Sequence, residues 1–252
     1  MFVLSTGRVG SETLATLYKL ANNVLSYHEP VPKLYALSKL SYRYHSDSLG
    51  QTILQEALST TRKELFNYSL SCRKGYIETS PQATFLAPII LQVVPNVRFI
   101  HLVRDPHDVV RSGMRRGWYN GNNMADKTRI TPNSESEHYE SWDNYTMFQK
   151  NVWLWSETNN WIINFLSTIP AEQRLTITSE NMFNAHQKTL ENLFSFINSS
   201  LPSKKKIETI LRKRLNAQRV GNFPEFSDWT GEMNEQLHGI ASKTIKILDY
   251  NI

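Results

Sequence analysis

Apolar residues along the chain alternate between short continuous runs and helical spacing. Phe2-Val3-Leu4 is a short apolar run closed by Ser5-Thr6-Gly7-Arg8-Val9-Gly10, and Leu14, Leu17, Tyr18 and Ala21 then recur three to four residues apart. This predicts a strand, a loop and a helix. A second strand is expected over residues 24–27, with Pro30 and Pro32 preventing a regular element directly after it. A third is expected over 76–79, after which Ser80-Pro81 opens an apolar helix that runs to Val94. Residues 97–103 form the clearest buried strand, and Asp105-Pro106 supplies a cap and a first-turn proline for a helix bearing Val109, Val110 and Met114. Helical periodicity resumes through Phe148, Val152, Trp155, Ile162 and Ile163, residues 175–178 read as a strand, and 182–252 alternate helical patterns with a polar link at 220–230.

Strands separated by helices need crossover connections, so the pattern predicts an α/β fold of three layers: a central, mostly parallel sheet flanked by helices on both faces. At 252 residues the length suits one domain spanning 1–252. Two stretches stand apart. Residues 33–71 are polar and aromatic and expected to be helical in part. Residues 117–145 are rich in Asn, Ser and Gly, and a loop that long is expected to be an acceptor loop or lid.

Charge narrows the partners. Lys and Arg number 28 against 23 Asp and Glu, a net +5, which favours an anionic ligand such as a nucleotide, polyphosphate, nucleic acid or acidic glycan. No nucleic-acid signature motif accompanies that charge, so nucleic acid is not an expected partner. Cys72 is the lone cysteine, which excludes an internal disulfide and a cysteine-based metal cluster. The amino terminus lacks a basic leader followed by a long apolar stretch, and residues 85–94 are too short to span a bilayer and contain Pro88. Cytoplasmic residence, with no transmembrane segment, is the resulting expectation.

In open parallel sheets ligands bind at the carboxyl ends of strands, which directs attention to the loops after Ser5 and Val103. The first loop, Thr6-Gly7-Arg8-Val9-Gly10-Ser11, leads into a helix amino terminus whose free N–H groups can cradle an anion. Read alone it is also an ordinary strand-to-helix turn. It lacks the Gly-Lys-Ser/Thr of the nucleoside-triphosphatase loop, which weakens the alternative of a P-loop-type small-molecule kinase. In the second loop, Arg104 ends a strand and Ser112 lies two helical turns later, a spacing that lets a guanidinium and a hydroxyl converge on one phosphate. Asp105 reads as a cap, not a base. A basic, non-enzymatic binding module is a third reading of the charge.

With these elements in place the chain resembles the sulfotransferase family. The loop 6–11 resembles the 5′-phosphosulfate loop of its bacterial and carbohydrate-type branches, where arginine replaces lysine, and 104–113 resembles its 3′-phosphate motif. Glu78-Thr79-Ser80-Pro81 and Arg219-Val220-Gly221, with Asp228-Trp229 beyond, are similar to lesser motifs in the same order. The resemblance implies a P-loop-like nucleotide-binding fold and transfer of a sulfuryl group from 3′-phosphoadenosine-5′-phosphosulfate (PAPS) to a hydroxyl or amine of a small-molecule or glycan acceptor, leaving adenosine-3′,5′-bisphosphate (PAP), with no metal. It implies that Arg8 contacts the sulfuryl end, with Thr6, Gly7 and Val9 in the loop and backbone N–H groups of Gly10, Ser11, Glu12 and Thr13 around the 5′-phosphate. Arg104 and Ser112, helped by Arg219 and the Gly221 backbone, would hold the 3′-phosphate.

Such transfer builds negative charge on the leaving phosphate and requires a base for the acceptor proton. His28-Glu29-Pro30 comes after the second strand and is similar to a Glu-Pro segment of the bacterial and carbohydrate branches. Glu29 is the first candidate base and His28 the second, with His101 and His107 more distant; alternatively Glu29 is a loop carboxylate paired with a surface lysine. Glu12 departs from the hydroxyl residue usual there, and either turns outward or faces the acceptor. Trp118, Tyr119, Trp142, Tyr145, Phe148 and Trp153 either line an acceptor pocket or belong to the core.

Overall fold

The computed structural model describes residues 1–122, 124–213 and 221–250. In chain order its elements are β1 (Phe2–Leu4), α1 (Ser11–Tyr18), β2 (Val24–His28), α2 (Tyr35–Tyr44), α3 (Ser48–Ser71), β3 (Gly75–Thr79), α4 (Ala87–Val93), β4 (Phe99–Val103), α5 (Pro106–Arg115), α6 (Met124–Lys127), α7 (Met147–Ser167), β5 (Arg174–Thr178), α8 (Ser179–Phe183), α9 (Gln187–Ser195), α10 (Lys204–Leu211) and α11 (Gly231–Ile247).

The five strands form one sheet in the order β2-β3-β1-β4-β5, and every pairing is parallel, where the sequence pattern predicts a mostly parallel sheet. Alternation across the pleat explains the three layers. On β1, Val3 joins a core with Leu14, Leu17 and Leu193, whereas Phe2 and Leu4 face Leu58, Ile90 and Ile162 on the opposite side. Each fully buried apolar side chain of this kind contributes about 1.5–3 kcal/mol relative to exposure. On β4 the same alternation sends Ile100 and Leu102 to the first core and Phe99 to the second.

Local signals set the element ends. Asp105 caps α5 by accepting from the His107 N–H at 2.8 Å. Thr146 and Gln149 close a capping box at the start of α7. The apolar helix expected from Ser80 to Val94 is interrupted: Pro81–Ala83 make one 3₁₀ turn, and α4 begins afresh with Pro88 in its first turn, the position where a missing N–H costs least. The stretch 33–71, expected to be helical only in part, resolves into α2 and the 24-residue α3.

A buried ion pair ties α3 to the sheet. Arg62 and Glu78, both fully buried, meet through two bonds of 2.7 and 2.8 Å, and Arg62 also donates to the Pro32 carbonyl at 2.8 Å. Tyr76 adds its hydroxyl to the Glu78 carboxylate at 2.6 Å. Arg62 thereby clamps the segment after β2 to β3. Among the described residues no helix is long and apolar enough to cross a membrane.

Candidate active site

The chain reverses direction across the sheet at β1, which lies between β3 and β4, and Leu4 stands opposite His101 on β4. The loops after β1 and β4 therefore leave the carboxyl edge side by side. β2 and β3 end in register next to them, with His28 opposite Thr79. The loops at this edge, with α5, α8 and the 116–130 segment, enclose a cleft of about 1150 Å³.

The first loop is pinned before it turns. Thr84 accepts from the Ser5 N–H at 2.9 Å and donates to the Ser5 carbonyl at 3.0 Å, and Ser179 donates to the Val9 carbonyl at 2.5 Å. Gly7, Arg8 and Gly10 all have positive φ, of 80°, 61° and 84°. For Arg8 this left-handed backbone costs about 1–3 kcal/mol and persists because its surroundings hold it. Gly10 is required twice over, since a Cβ there would lie 2.7 Å from the Phe183 ring in a conformation side chains avoid. Gly10 is also the N-cap of α1, with no side chain capping the first turn, so the N–H groups of Ser11, Glu12 and Thr13 remain for an anion. Thr6, Gly7, Arg8, Gly10, Ser11, Glu12 and Thr13 all line the cleft, whereas Val9 is buried in the core.

Arg104 and Ser112 converge on the same turn. The Arg8 Nε donates to Ser112 Oγ at 3.0 Å, and Arg104 Nη1 donates to the Arg8 carbonyl at 3.0 Å. Asp108 steadies the Arg104 guanidinium at 2.7 Å, and Trp155 donates its indole N–H to the Arg104 carbonyl at 2.9 Å. Burial, then the charges of Arg116 and Arg104, press the Arg8 pKa down to about 10, which leaves the side chain cationic at neutral pH. Gly221 carries a φ of 81° and accepts from Arg115 at 3.0 Å; a Cβ there would fall 2.0 Å from the Arg115 carbonyl oxygen. The strap continues along α5, where Arg111 donates to the Pro224 carbonyl at 3.0 Å and pairs with Glu225. Arg219 lies outside the described residues.

His28 and Glu29 also line the cleft. His28 Nδ1 is 2.9 Å from the Thr79 carbonyl oxygen, an acceptor only, so in the neutral ring Nδ1 carries the proton and Nε2 the lone pair. Nε2 lies 3.9 Å from Glu29 Oε1, while Oε2 pairs with Lys33 at 2.9 Å. The lysine pairing weighed in the sequence is thus present, on one oxygen of a carboxylate that lines the cleft. Glu12 lines it too, and with Glu29 it supplies the negative charge that acts back on Arg8.

His101 and His107 have structural surroundings. His101 is 1% exposed and donates from Nε2 to Asn159 Oδ1 at 2.8 Å, and burial lowers its pKa to about 4. His107 lies against Phe226 and Trp229 and is held by Asp105. Of the aromatics, Trp118 lines the cleft. Trp153, 1% exposed, packs with Trp142, and Phe148 packs with Trp229, as core residues.

Two cleft arginines carry no motif that marks them in the sequence. Arg116 ends α5, and Arg129 places its guanidinium 4.1 Å over the Trp118 ring while pairing with Asp126 at 2.9 Å. The run Arg111, Arg115, Arg116 at four- and five-residue spacing was the available signal for the first; nothing local marks the second.

The fold and the cleft together define a parallel α/β protein with a cleft lined by glycines and arginines at the carboxyl edge of its sheet. A family model described as "Sulfotransferase family" matches residues 20–203, and the chain belongs to that family. Among solved structures it is similar over its whole length to the sulfotransferase domain from the curacin biosynthetic pathway, with 16% identity, TM-score 0.57 and 97% of that chain covered. The sulfotransferase domain from the Synechococcus PCC 7002 olefin synthase gives 17% identity and TM-score 0.57, again over the whole chain and 94% of the other. Mouse sulfotransferase SULT7A1 complexed with PAP gives 15% identity and TM-score 0.56 over 99% of this chain and 84% of that one. No curated protein matches the sequence.

Proposed function

We propose that this sulfotransferase takes PAPS as its donor and transfers the sulfuryl group to a hydroxyl or amine of a small-molecule or glycan acceptor. The observation that carries the reading is the meeting of Arg8, Arg104 and Ser112 at 3.0 Å on one left-handed, glycine-flanked turn beside an uncapped helix terminus. The residues fit a bis-phosphorylated nucleotide: cations at two adjoining loops, and an α1 amino terminus whose first turn no side chain caps.

Bound PAPS supplies an activated sulfuryl group on a phosphate leaving group. The N–H groups of Ser11, Glu12 and Thr13 would hold the 5′-phosphate, and Arg8 would neutralise the charge that grows there as the bond breaks, a contribution of the preorganised electrostatic kind. Arg104 and Ser112 would hold the 3′-phosphate, whose charge distinguishes this donor from ATP. To reach the sulfuryl end of the donor, Arg8 would exchange its bond with Ser112 for one with the leaving phosphate. Glu29 would accept the acceptor proton through Oε1, the oxygen turned toward His28 Nε2, while Lys33 orients the carboxylate through Oε2. The segment 117–145 would serve as the acceptor loop and the chain as one domain, working in the cytoplasm.

The test is a thermal-shift series. PAP is expected to raise the melting temperature well above the shift given by AMP or ATP at equal concentration, through mass action on the folded state. Equal shifts for all three nucleotides defeat the assignment of the donor.

A further inference from the structure

Helix α7 carries four buried polar atoms that have no hydrogen-bond partner among the described residues: Asn151 Oδ1, Trp153 Nε1, Thr158 Oγ1 and Trp161 Nε1. Of these residues Thr158 is the one that lines the cleft. A threonine inside a helix commonly satisfies its hydroxyl on the carbonyl four residues back. Elsewhere in this chain Thr16, Thr52, Thr61 and Thr209 do so, at 2.6 to 3.1 Å. Thr158, only 2% exposed, forgoes the Leu154 carbonyl and finds nothing in its place. A buried hydroxyl left unpaired costs stability, and valine would fill the same shape without that cost.

The surroundings of Thr158 are apolar and fixed. Leu154 and Thr158 lie one turn apart on one face of α7, and Asn151 and Trp161 continue that stripe to either side. Asn151 donates to the Trp118 carbonyl at 3.3 Å, and Trp161 packs on Phe85 with ring centroids 5.5 Å apart. Phe85, Trp118, Ile130 and Leu154 belong to one buried apolar cluster, and all four line the cleft with Thr158. The walls are held from behind: Ser41 of α2 donates to the Phe85 carbonyl at 2.7 Å, Tyr119 to the Ile130 carbonyl at 2.9 Å, and Lys39 of α2 to the Lys127 carbonyl at 2.8 Å. One hydroxyl set into a preformed apolar wall is how a pocket fixes the orientation of a ligand.

We infer that Thr158 is a specificity-determining residue: the acceptor rests an apolar or ring body against Phe85, Ile130 and Leu154 and presents a carbonyl or ether oxygen, remote from the atom that takes the sulfuryl group, to the Thr158 hydroxyl. The ligand oxygen replaces the backbone carbonyl that the other helical threonines use. A step between the two χ1 wells open to a helical threonine turns the O–H toward it. The inference rests on the sulfotransferase reading, which gives the loops after β1 and β4 to the donor and leaves this wall to the acceptor.

The test uses the full chain saturated with PAP, whose own thermal shift checks the donor assignment first. Calorimetry then compares neutral alcohols of two lengths that differ in one oxygen: 4-acetylbenzyl alcohol against 4-isopropylbenzyl alcohol, and the corresponding pair built on naphthalene. In at least one pair the ketone is expected to bind about tenfold tighter than its alkyl counterpart, the worth of one hydrogen bond to an otherwise unpaired buried group. Thr158→Val, which keeps the shape, should erase that preference and leave the PAP shift in place, whereas Thr158→Ser, which keeps the hydroxyl, should retain it. Without ligand, the denaturation midpoint of Thr158→Val is expected to be unchanged or raised, because no bond is lost. Equal or inverted affinity in both pairs, no binding of any probe at its solubility limit, a preference that survives Thr158→Val, or a lowered midpoint in that variant overturns the inference. If PAP gives no shift the donor reading fails, and the same pairs titrated without PAP still judge Thr158. If Thr158→Val does not fold, the pairs on the unaltered protein and on Thr158→Ser decide.

Discussion

Arg104 and Ser112 are eight residues apart in sequence, yet both touch the Arg8 turn. Replacing Arg104 by Ala is expected to weaken PAP by about tenfold or more, the loss of a charge-assisted bond worth about 1.5–3 kcal/mol, read as a smaller PAP-induced thermal shift. Glu29→Gln should behave in the opposite way, keeping the PAP shift and abolishing turnover of labelled donor; loss of both would make Glu29 a scaffold residue. These positions were legible in the sequence because strand ends, glycines and a proline-marked helix start fix where a loop meets a helix. Arg129 was not, because its place depends on Trp118 and on ties to α2 and α7 that leave no mark on neighbouring residues.

Among elements, β4 and α7 are joined by the His101–Asn159 bond. Burial lowers the histidine pKa from 6.5 to about 4, with the bond to Asn159 opposing the shift. The unfolded chain thus binds the proton more readily, so this contribution is whole above about pH 6.5 and is lost as pH falls through about 4, by about 3 kcal/mol. Denaturant unfolding across that range should show the loss, and His101→Asn should flatten it. α3 gives a second case: Arg62→Ala leaves Glu78 buried without its partner and should cost about 3–5 kcal/mol, also read by denaturation. The helix itself was illegible in sequence because its inward face carries Leu54, Leu58, Arg62 and Ser69, half of it polar, while Leu49 and Ile53 point to solvent and blur the apolar period. The strands were plainer: β4 is buried at all five positions and reads as an apolar run interrupted only by His101.

For the molecule as a whole, both cores rest on the same sheet, with neighbouring residues of β1 and β4 serving opposite sides. Loss of either core would strip one face of β1 and β4 at the centre of the sheet, so one cooperative calorimetric transition is expected; two separable transitions would divide the chain. The cleft inherits its dimensions from the same sheet. Because β1 and β4 are hydrogen-bonded neighbours, the roots of the loops that follow them stand one strand spacing apart, about 4.8 Å, a distance no loop substitution can alter. The sheet therefore settles where both loops begin: exchanging residues within either loop redirects side chains into the cleft but leaves the two starting points side by side.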